Sequence, residues 1–309
     1  MGRFLAFVLA FLLAACASVP QPQKRIALTF DDIPRDRGAW LNDEERAQRL
    51  IASLRQAGVK QAAFFLNPGR IPDKAGAESR IAAYVAAGHV IANHSATHPH
   101  LNATTPAAYL ADIDAAAAWL KDRPGYRPWF RFPYLDEGQG DLAKRDAVRA
   151  GLASRGLSNG YVTVDASDWF YEQAAIDAVR AGKRINRDAL RDLYVESHVE
   201  SAEFSDALAR RTLGRSPAHV LLLHETDLAA FWIADLVRAL RAKGWTIVTA
   251  DEAYADPIAR VQPDVPVAQG TLIGALAWQK GLPEPRWYPR NDTKVADELF
   301  AQRVIANNP

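Results

Sequence analysis

From Arg25 onward, short runs of β-branched and aromatic residues alternate with Ala-rich stretches whose apolar positions recur every three to four residues. The short runs predict strands over 25–30, 61–66, 89–93, 129–132, 161–164, 219–223 and 246–249. The amphipathic stretches between them predict helices over 44–57, 77–87, 106–120 and 228–242. Thr105 before Pro106 is a helix start: a capping hydroxyl followed by proline at the first helical position. Gly58, Gly88 and Gly244 fall just past three of these helices, where a left-handed residue ends a helix well. Seven strands alternating with helices predict a parallel sheet with right-handed crossovers. An open doubly wound sheet and a closed or distorted barrel both fit. The longest interval without a strand, 171–218, holds two or three helices. After Ala255 the chain becomes irregular and Pro-rich, then predicts helices over 271–280 and 292–305. There Trp278, Trp287 and Tyr288 are expected to pack the tail onto the rest of the chain rather than to stack on a sugar.

The first residues read as a targeting segment. Arg3 precedes an apolar run over 4–15, too short for a mature transmembrane helix. The run ends Leu13-Ala14-Ala15-Cys16, which resembles a bacterial lipoprotein box, and Cys16 is the single cysteine of the chain. Lipidation of Cys16 would leave a short extended linker over 17–24 and a protein anchored by lipid alone. Ala17 directly after it is the residue expected for outer-membrane sorting in a host with two membranes. Lys plus Arg number 37 and Asp plus Glu 36, a balance of 37 − 36 = +1 that speaks against nucleic-acid binding and is neutral toward a glycan.

Polar residues collect where the expected strands end: Asp31-Asp32, His94 to His98, Arg131 to Tyr134, Asp165 to Trp169, and His224-Glu225. In parallel α/β folds those carboxyl ends form the ligand-binding rim. His94 and His98 are four apart, so one helical turn would face both toward one metal. Ser95 stands where a zinc metalloprotease needs its glutamate, so that chemistry lacks a base. Asp31 or Asp32 is available as a third ligand, and two histidines plus a carboxylate with an open position describe catalytic zinc. A non-haem iron oxygenase uses the same set. Adjacent Asp31 and Asp32 repel unless a cation compensates one, leaving the other as a base that Arg131 holds ionised.

Thr29-Phe30-Asp31-Asp32, His94-Ser95-x-x-His98-Pro99, Arg131-x-Pro133-Tyr134, Asp165-x-x-Asp168-Trp169 and Leu222-x-His224 occur in that order. This set resembles the NodB-like polysaccharide deacetylases, also called carbohydrate esterase family four, across about two thirds of the chain. The resemblance implies an α/β fold, a distorted, incomplete (β/α) barrel of about seven parallel strands. It implies Asp32, His94 and His98 as ligands of a metal, usually zinc. Asp31 would be the general base, oriented by Arg131. The backbone N–H of Tyr134 would hold the oxyanion. His224 would be the general acid, supported by Asp168, with Trp169 and Leu222 shaping the pocket near the acetyl methyl. Asp165 opens the fourth motif without an assigned role. The chain departs from the family's pattern at Ile33, where glycine is common, and at Phe132, where proline is frequent.

The expected organisation is a signal segment over 1–16, a linker over 17–24, a deacetylase domain over 25–255 and a C-terminal extension over 256–309. The expected activity is zinc-dependent removal of N-acetyl groups from an N-acetylglucosamine polymer: peptidoglycan, a chitin-like chain or an exopolysaccharide. The alternatives are an O-acetyl glycan esterase and a non-catalytic glycan-binding lipoprotein of the cell envelope. Asp136 and Glu137 are expected in a solvated loop, and His198 on a polar helix face between Glu196 and Glu200. His89 and His219 are expected to be structural, and His100 to be either a packing residue or a neighbour of the site.

Overall fold

The computed structural model describes residues 23–305. The expected signal segment, Cys16 included, and most of the expected linker lie outside the described residues. Among the described residues the strands are β1 (Lys24–Ile33), β2 (Ala63–Leu66), β3 (Val90–Asn93), β4 (Tyr126–Phe130), β5 (Asp136–Gln139), β6 (Ser158–Asn159), β7 (Ala218–His224), β8 (Trp245–Ile247) and β9 (Ala268–Gln269). The helices are α1 (Asp43–Gln56), α2 (Ala77–Ala86), α3 (Pro106–Leu120), α4 (Leu142–Ser154), α5 (Asp168–Arg180), α6 (Arg187–Leu213), α7 (Asp227–Ala242), α8 (Ala250–Tyr254), α9 (Leu272–Gln279) and α10 (Thr293–Arg303). The interval 171–218 thus holds two helices, α5 and α6.

Seven strands form one parallel sheet in the order β6-β4-β3-β2-β1-β7, with β8 added beside the first three residues of β1. The strip 160–164 then joins the two sides of the sheet. Gly160 donates to the Phe130 carbonyl at the end of β4, while Thr163 and Val164 donate to Val220 in β7. Val164 and Leu221 form a single parallel bridge. The result is the distorted, incomplete barrel expected. The strand expected over 161–164 is shorter and earlier, at Ser158–Asn159, because this strip must leave β4 and cross to β7. A regular ladder cannot follow two divergent strands. Thr249, expected in a strand, instead caps α8 in a capping box with Glu252. The antiparallel pair of β5 and β9 was not anticipated; neither segment alternates in polarity.

The centre of the barrel wall is apolar on both faces, as parallel strands require. Phe64 on β2 stacks on Phe30 (5.0 Å between centroids) and on Tyr84 (4.1 Å). The C-terminal segments lie against the same body. Ala296, Phe300 and Val304 are buried in one cluster with Tyr171 and Tyr194, and Tyr288 is buried with its hydroxyl on Glu200.

A layer of buried charge beneath the loop 34–42 fixes the chain just after the aspartate pair. Asp227 accepts the N–H groups of Trp40 (2.7 Å) and Leu41 (3.0 Å). Arg46, 1% exposed, donates to the carbonyls of Asp36 and Arg35 and lies 3.9 Å from both Glu225 and Asp227. Glu225 accepts from the Tyr84 hydroxyl at 2.6 Å. Glu172 accepts the N–H groups of Asp227 and Leu228 at the start of α7. Burial, reinforced by the Asp227 charge, pushes the Glu172 carboxyl up to about 7.

A carboxyl whose folded pKa is raised stabilises the fold below the ordinary carboxyl range, and that contribution is lost as pH rises through about 7. Glu172→Gln keeps the shape of the neutral acid and removes the titration, although its amide nitrogen cannot accept the second backbone N–H. Thermal unfolding followed by circular dichroism should show the wild-type midpoint falling by several degrees more than the variant's between about pH 5 and pH 8. Equal falls in the two proteins would contradict a buried, proton-holding Glu172.

Candidate active site

The carboxyl ends of β1, β3 and β7 are brought level by register. Asp31 is the lateral partner of His224, Ile33 of Leu66, and Leu66 of Asn93. The polar residues that follow these strands therefore meet at one rim.

The two histidines do not sit on a helical turn, as their spacing suggested. Residues 94–98 form an irregular loop in which Ser95 (φ 65°) and His98 (φ 62°) are left-handed. Such backbone costs roughly 1–3 kcal/mol per residue and persists only where neighbours impose it. The neighbours are side chains. Asn93 accepts the Ser95 N–H at 2.8 Å, and the Ser95 hydroxyl accepts the His98 N–H at 3.0 Å. Fully buried Asn67 donates to the carbonyls of His94 and Ser95. Asp112 on α3 accepts the N–H groups of Ala96 and Thr97. None of Asn67, Asn93 or Asp112 stands out in the sequence, since each looks like an ordinary polar residue beside or within an element.

His94 Nδ1 lies 2.9 Å from the Arg131 carbonyl. A carbonyl can only accept, so Nδ1 carries a hydrogen, which in a neutral ring leaves Nε2 as the ligand atom. That Nε2 is 3.6 Å from Asp32 Oδ1, and His98 Nε2 is 3.0 Å from the same oxygen. Asp32 Oδ1 is enclosed yet accepts no aligned hydrogen bond. The three ligand atoms lie within 4.8 Å of one another. Ligand bonds of about 2.0–2.2 Å in a tetrahedron separate donor atoms by roughly 3.3–3.6 Å, so a divalent ion fits this set. The other carboxylate oxygen, Oδ2, is held by Arg35 Nη1 at 2.7 Å, which leaves Oδ1 to face the histidines. Burial opposes ionisation of Asp32, but His94 and His98, with the charge of His224, outweigh it and hold the carboxyl well below its usual range. Burial pushes His98 down, toward the neutral ligand form.

Asp31 has a different environment. Its Oδ1 is 2.5 Å from Arg131 Nη1 and its Oδ2 is 3.7 Å from His94 Nε2. Arg131, 1% exposed, also donates to Thr29 (2.9 Å), the Gly160 carbonyl (2.7 Å) and the Tyr254 hydroxyl (2.7 Å), and lies over the Phe65 ring. Tyr254, on α8 far along the chain, carries no motif that would have revealed it.

His224 closes the rim. Asp168 at the start of α5 accepts from His224 Nδ1 (2.6 Å) and from its backbone N–H (2.8 Å). Although burial disfavours the imidazolium, the Asp168 carboxylate raises the His224 pKa, and His224 in turn holds Asp168 low. His224 Nε2 remains, 4.0 Å from Asp32 Oδ2. Leu222, two residues earlier on β7, shares its face. Trp169, 40% exposed, stands beside Asp168 in the first turn of α5. Tyr134 is left-handed (φ 58°), and its ring packs edgewise on His98 and flat on His100. Asp165 is buried, accepts the Ser167 N–H, and is raised to about 6 by that burial.

Two expectations are corrected. Asp136 and Glu137 are not in a solvated loop. Asp136 is fully buried and accepts the N–H groups of Asn102 and Gly138, and Glu137 pairs with Arg149. His198 is not on a polar face: it is fully buried, because α6 turns it inward while Glu196 and Glu200 bind arginine and tyrosine partners on another side. His89 and His219 are buried and bonded within the fold, at the Ala62 N–H and Thr163.

A family profile described as polysaccharide deacetylase matches residues 18–154, which carry Asp31, Asp32, His94, His98, Arg131 and Tyr134. A peptidoglycan-N-acetylglucosamine deacetylase of Bacillus cereus is 35% identical over 120 residues, 38% of this chain. That match spans 38% of the relative's own length. Among solved structures, a polysaccharide deacetylase from Bacillus cereus has a TM-score of 0.54 at 19% identity, over 74% of this chain and 92% of that one. A family 4 carbohydrate esterase from Streptococcus mutans has a TM-score of 0.51 at 18% identity, over 74% and 86%. At these identities the likeness is one of fold. With five ordered motifs, the matching profile over 18–154 and a rim that gathers the motif residues, the chain carries a polysaccharide deacetylase domain and is similar to the NodB-like enzymes of carbohydrate esterase family four.

Proposed function

We propose that this protein is a zinc-dependent hydrolase that removes N-acetyl groups from an N-acetylglucosamine polysaccharide of the cell envelope. One observation carries the reading: two separately anchored proton-transfer groups border one cluster of ligand atoms. Asp31, held by Arg131, is 3.7 Å from His94, and His224, held by Asp168, is 4.0 Å from Asp32. The peptidoglycan deacetylase relative supports a glycan of the wall, and the lipoprotein-like segment ending at Cys16 supports export and lipid anchoring.

An amide carbonyl is a weak electrophile, and its amine is a poor leaving group. Asp32, His94 and His98 would hold the ion, which when bound polarises the acetyl carbonyl and brings the pKa of water toward about 7. Asp31 takes the proton of the attacking water, and Arg131 holds its carboxylate at the right angle. As the new C–O bond forms, the Tyr134 backbone N–H donates to the developing oxyanion. One such donor is typically worth about 3–4 kcal/mol in the transition state. His224 Nε2 gives its proton to the sugar nitrogen as the C–N bond breaks, releasing acetate and a free amine. Asp168 keeps the imidazole charged and aimed. Trp169 and Leu222 border the acetyl methyl.

The chain lacking residues 1–16 should release acetate from acetylated chitooligosaccharides or peptidoglycan, lose this activity in chelator and regain it with zinc. Cleavage confined to O-acetylated glycans would move the assignment to ester hydrolysis, and glycan binding without turnover would make it a binding protein. Asp31→Asn should lower turnover by about 100- to 10,000-fold, the usual share of acid–base catalysis.

Metal analysis of the same proteins separates base from ligand. Wild type and Asp31→Asn should each hold one zinc per chain. His94→Ala should lose more than about 100-fold in zinc affinity by chelator competition, beyond what an outer neighbour of a ligand contributes. Unchanged affinity in His94→Ala would place the ion elsewhere.

A further inference from the structure

Helix α6 lies along the segment that carries Asp168. Ser201 donates to the Asp165 carbonyl at 2.6 Å, and the Ser197 hydroxyl is 3.3 Å from the Tyr171 hydroxyl. These two contacts bracket Asp168, and His198 and Tyr194 share the same inward face of α6. Both are fully buried, with ring centroids 4.3 Å apart. His198 Nδ1 is 2.6 Å from the Tyr194 carbonyl, so Nδ1 carries the hydrogen and Nε2 presents a lone pair. That Nε2 and the Tyr194 hydroxyl are both enclosed without a partner. Burial pushes the His198 pKa down against the opposing Asp168 charge, and burial with the same charge pushes the Tyr194 hydroxyl up.

His198 Nε2 and a carboxylate on the segment packed against α6 are two acceptors with no proton between them. The Tyr194 hydroxyl is a donor without an acceptor. One water molecule resolves all three, since it donates twice and accepts from a third group. We propose that His198 and Tyr194 are positioning residues for the Asp168–His224 pair, joined to Asp168 through a single buried water. The water donates one hydrogen to His198 Nε2 and the other to the Asp168 carboxylate, and accepts the Tyr194 hydroxyl. Asp168 then has an anchor on α6 opposite its two bonds to His224, which fixes the direction of His224 Nε2. This rests on the reading of His224 as the proton donor.

The test uses the protein purified with its metal. A crystal structure at high resolution should show one water within hydrogen-bonding distance of His198 Nε2, Tyr194 Oη and an Asp168 oxygen. Its absence would overturn the proposal, whether or not the variants fold. In proton NMR, the downfield resonance of the His224 Nδ1 hydrogen should move in His198→Phe and Tyr194→Phe, and return toward wild type in His198→Gln, which keeps an acceptor. In turnover, His198→Phe should lower kcat about 10- to 100-fold, the scale of a misaimed group, with KM unchanged and partial rescue in His198→Gln. An unmoved resonance, or a kcat within twofold of wild type in folded His198→Phe, would overturn it. Wild-type protein inactive on every acetylated glycan would sink the proposed function, yet the water and the resonance would still decide this inference.

Discussion

The contact between Arg131 and Asp31 is the constraint on which the rest of this structure turns. Asp31 lies in β1, and Arg131 follows β4, with β3 and β2 between them in the sheet. Strands sit about 4.8 Å apart, so three intervals of a flat sheet would separate these positions by about 14 Å. Their side chains nevertheless meet at 2.5 Å, with both residues buried. The sheet curls, as the strip that joins β4 to β7 shows, and the guanidinium ties its two halves together. Its remaining bonds, to Thr29, Gly160 and Tyr254, recruit the strip that joins β4 to β7 and the helix α8. A buried arginine stripped of its carboxylate is strongly unfavourable, which ties the curvature of the fold to the integrity of the site.

The rim built on that curl is not relaxed backbone. Asp32, Ser95, His98, Tyr134, Leu135 and Ser167 are all left-handed, and none is glycine. Each sits where a side chain must be turned off the path of its strand or loop. The hydrogen bonds from Asn67, Asn93, Ser95, Asp112 and Asp165 hold the turns at 94–98 and 165–168, and they come from elements that are themselves packed in the core. Positioning of the ligand atoms is thus a property of the second layer as much as of the ligands.

The strands and the motif residues were legible because burial writes them in apolar runs and because chemistry demands rare residue types at strand ends. The supporting layer was not. Asn67, Asp112 and Tyr254 each act through two or three hydrogen bonds to distant parts of the chain, and nothing in their neighbourhood along the chain marks that duty. The spacing of His94 and His98 pointed to the right pair through the wrong geometry, since a strained loop reproduces what a helical turn would do. Polarity misled at His198 and Asp136, where flanking charged residues suggested solvent and the fold instead found partners or turned the side chain inward. The short antiparallel pair of β5 and β9 left no alternation to read, because the inward positions of β5 are Asp136 and Gly138, which polarity does not set apart from Glu137 and Gln139.

Adjacent aspartates present the fold with a like-charge problem, and the structure solves it by giving each a different cation. Asp31 receives a buried guanidinium that occupies Oδ1 and whose own remaining bonds prevent it from moving. Asp32 receives Arg35, which lies nearer the surface and occupies only Oδ2. The first arrangement holds a carboxylate in place beside the histidines. The second leaves one enclosed oxygen without an aligned hydrogen bond beside two imidazole nitrogens, a set that a further positive charge would suit. In the proposed chemistry the division between base and ligand therefore follows from which arginine each carboxylate meets, and the order of the two residues along β1 decides that. Consecutive strand residues face opposite ways, and only the left-handed turn at Asp32 brings its carboxylate back to the same rim.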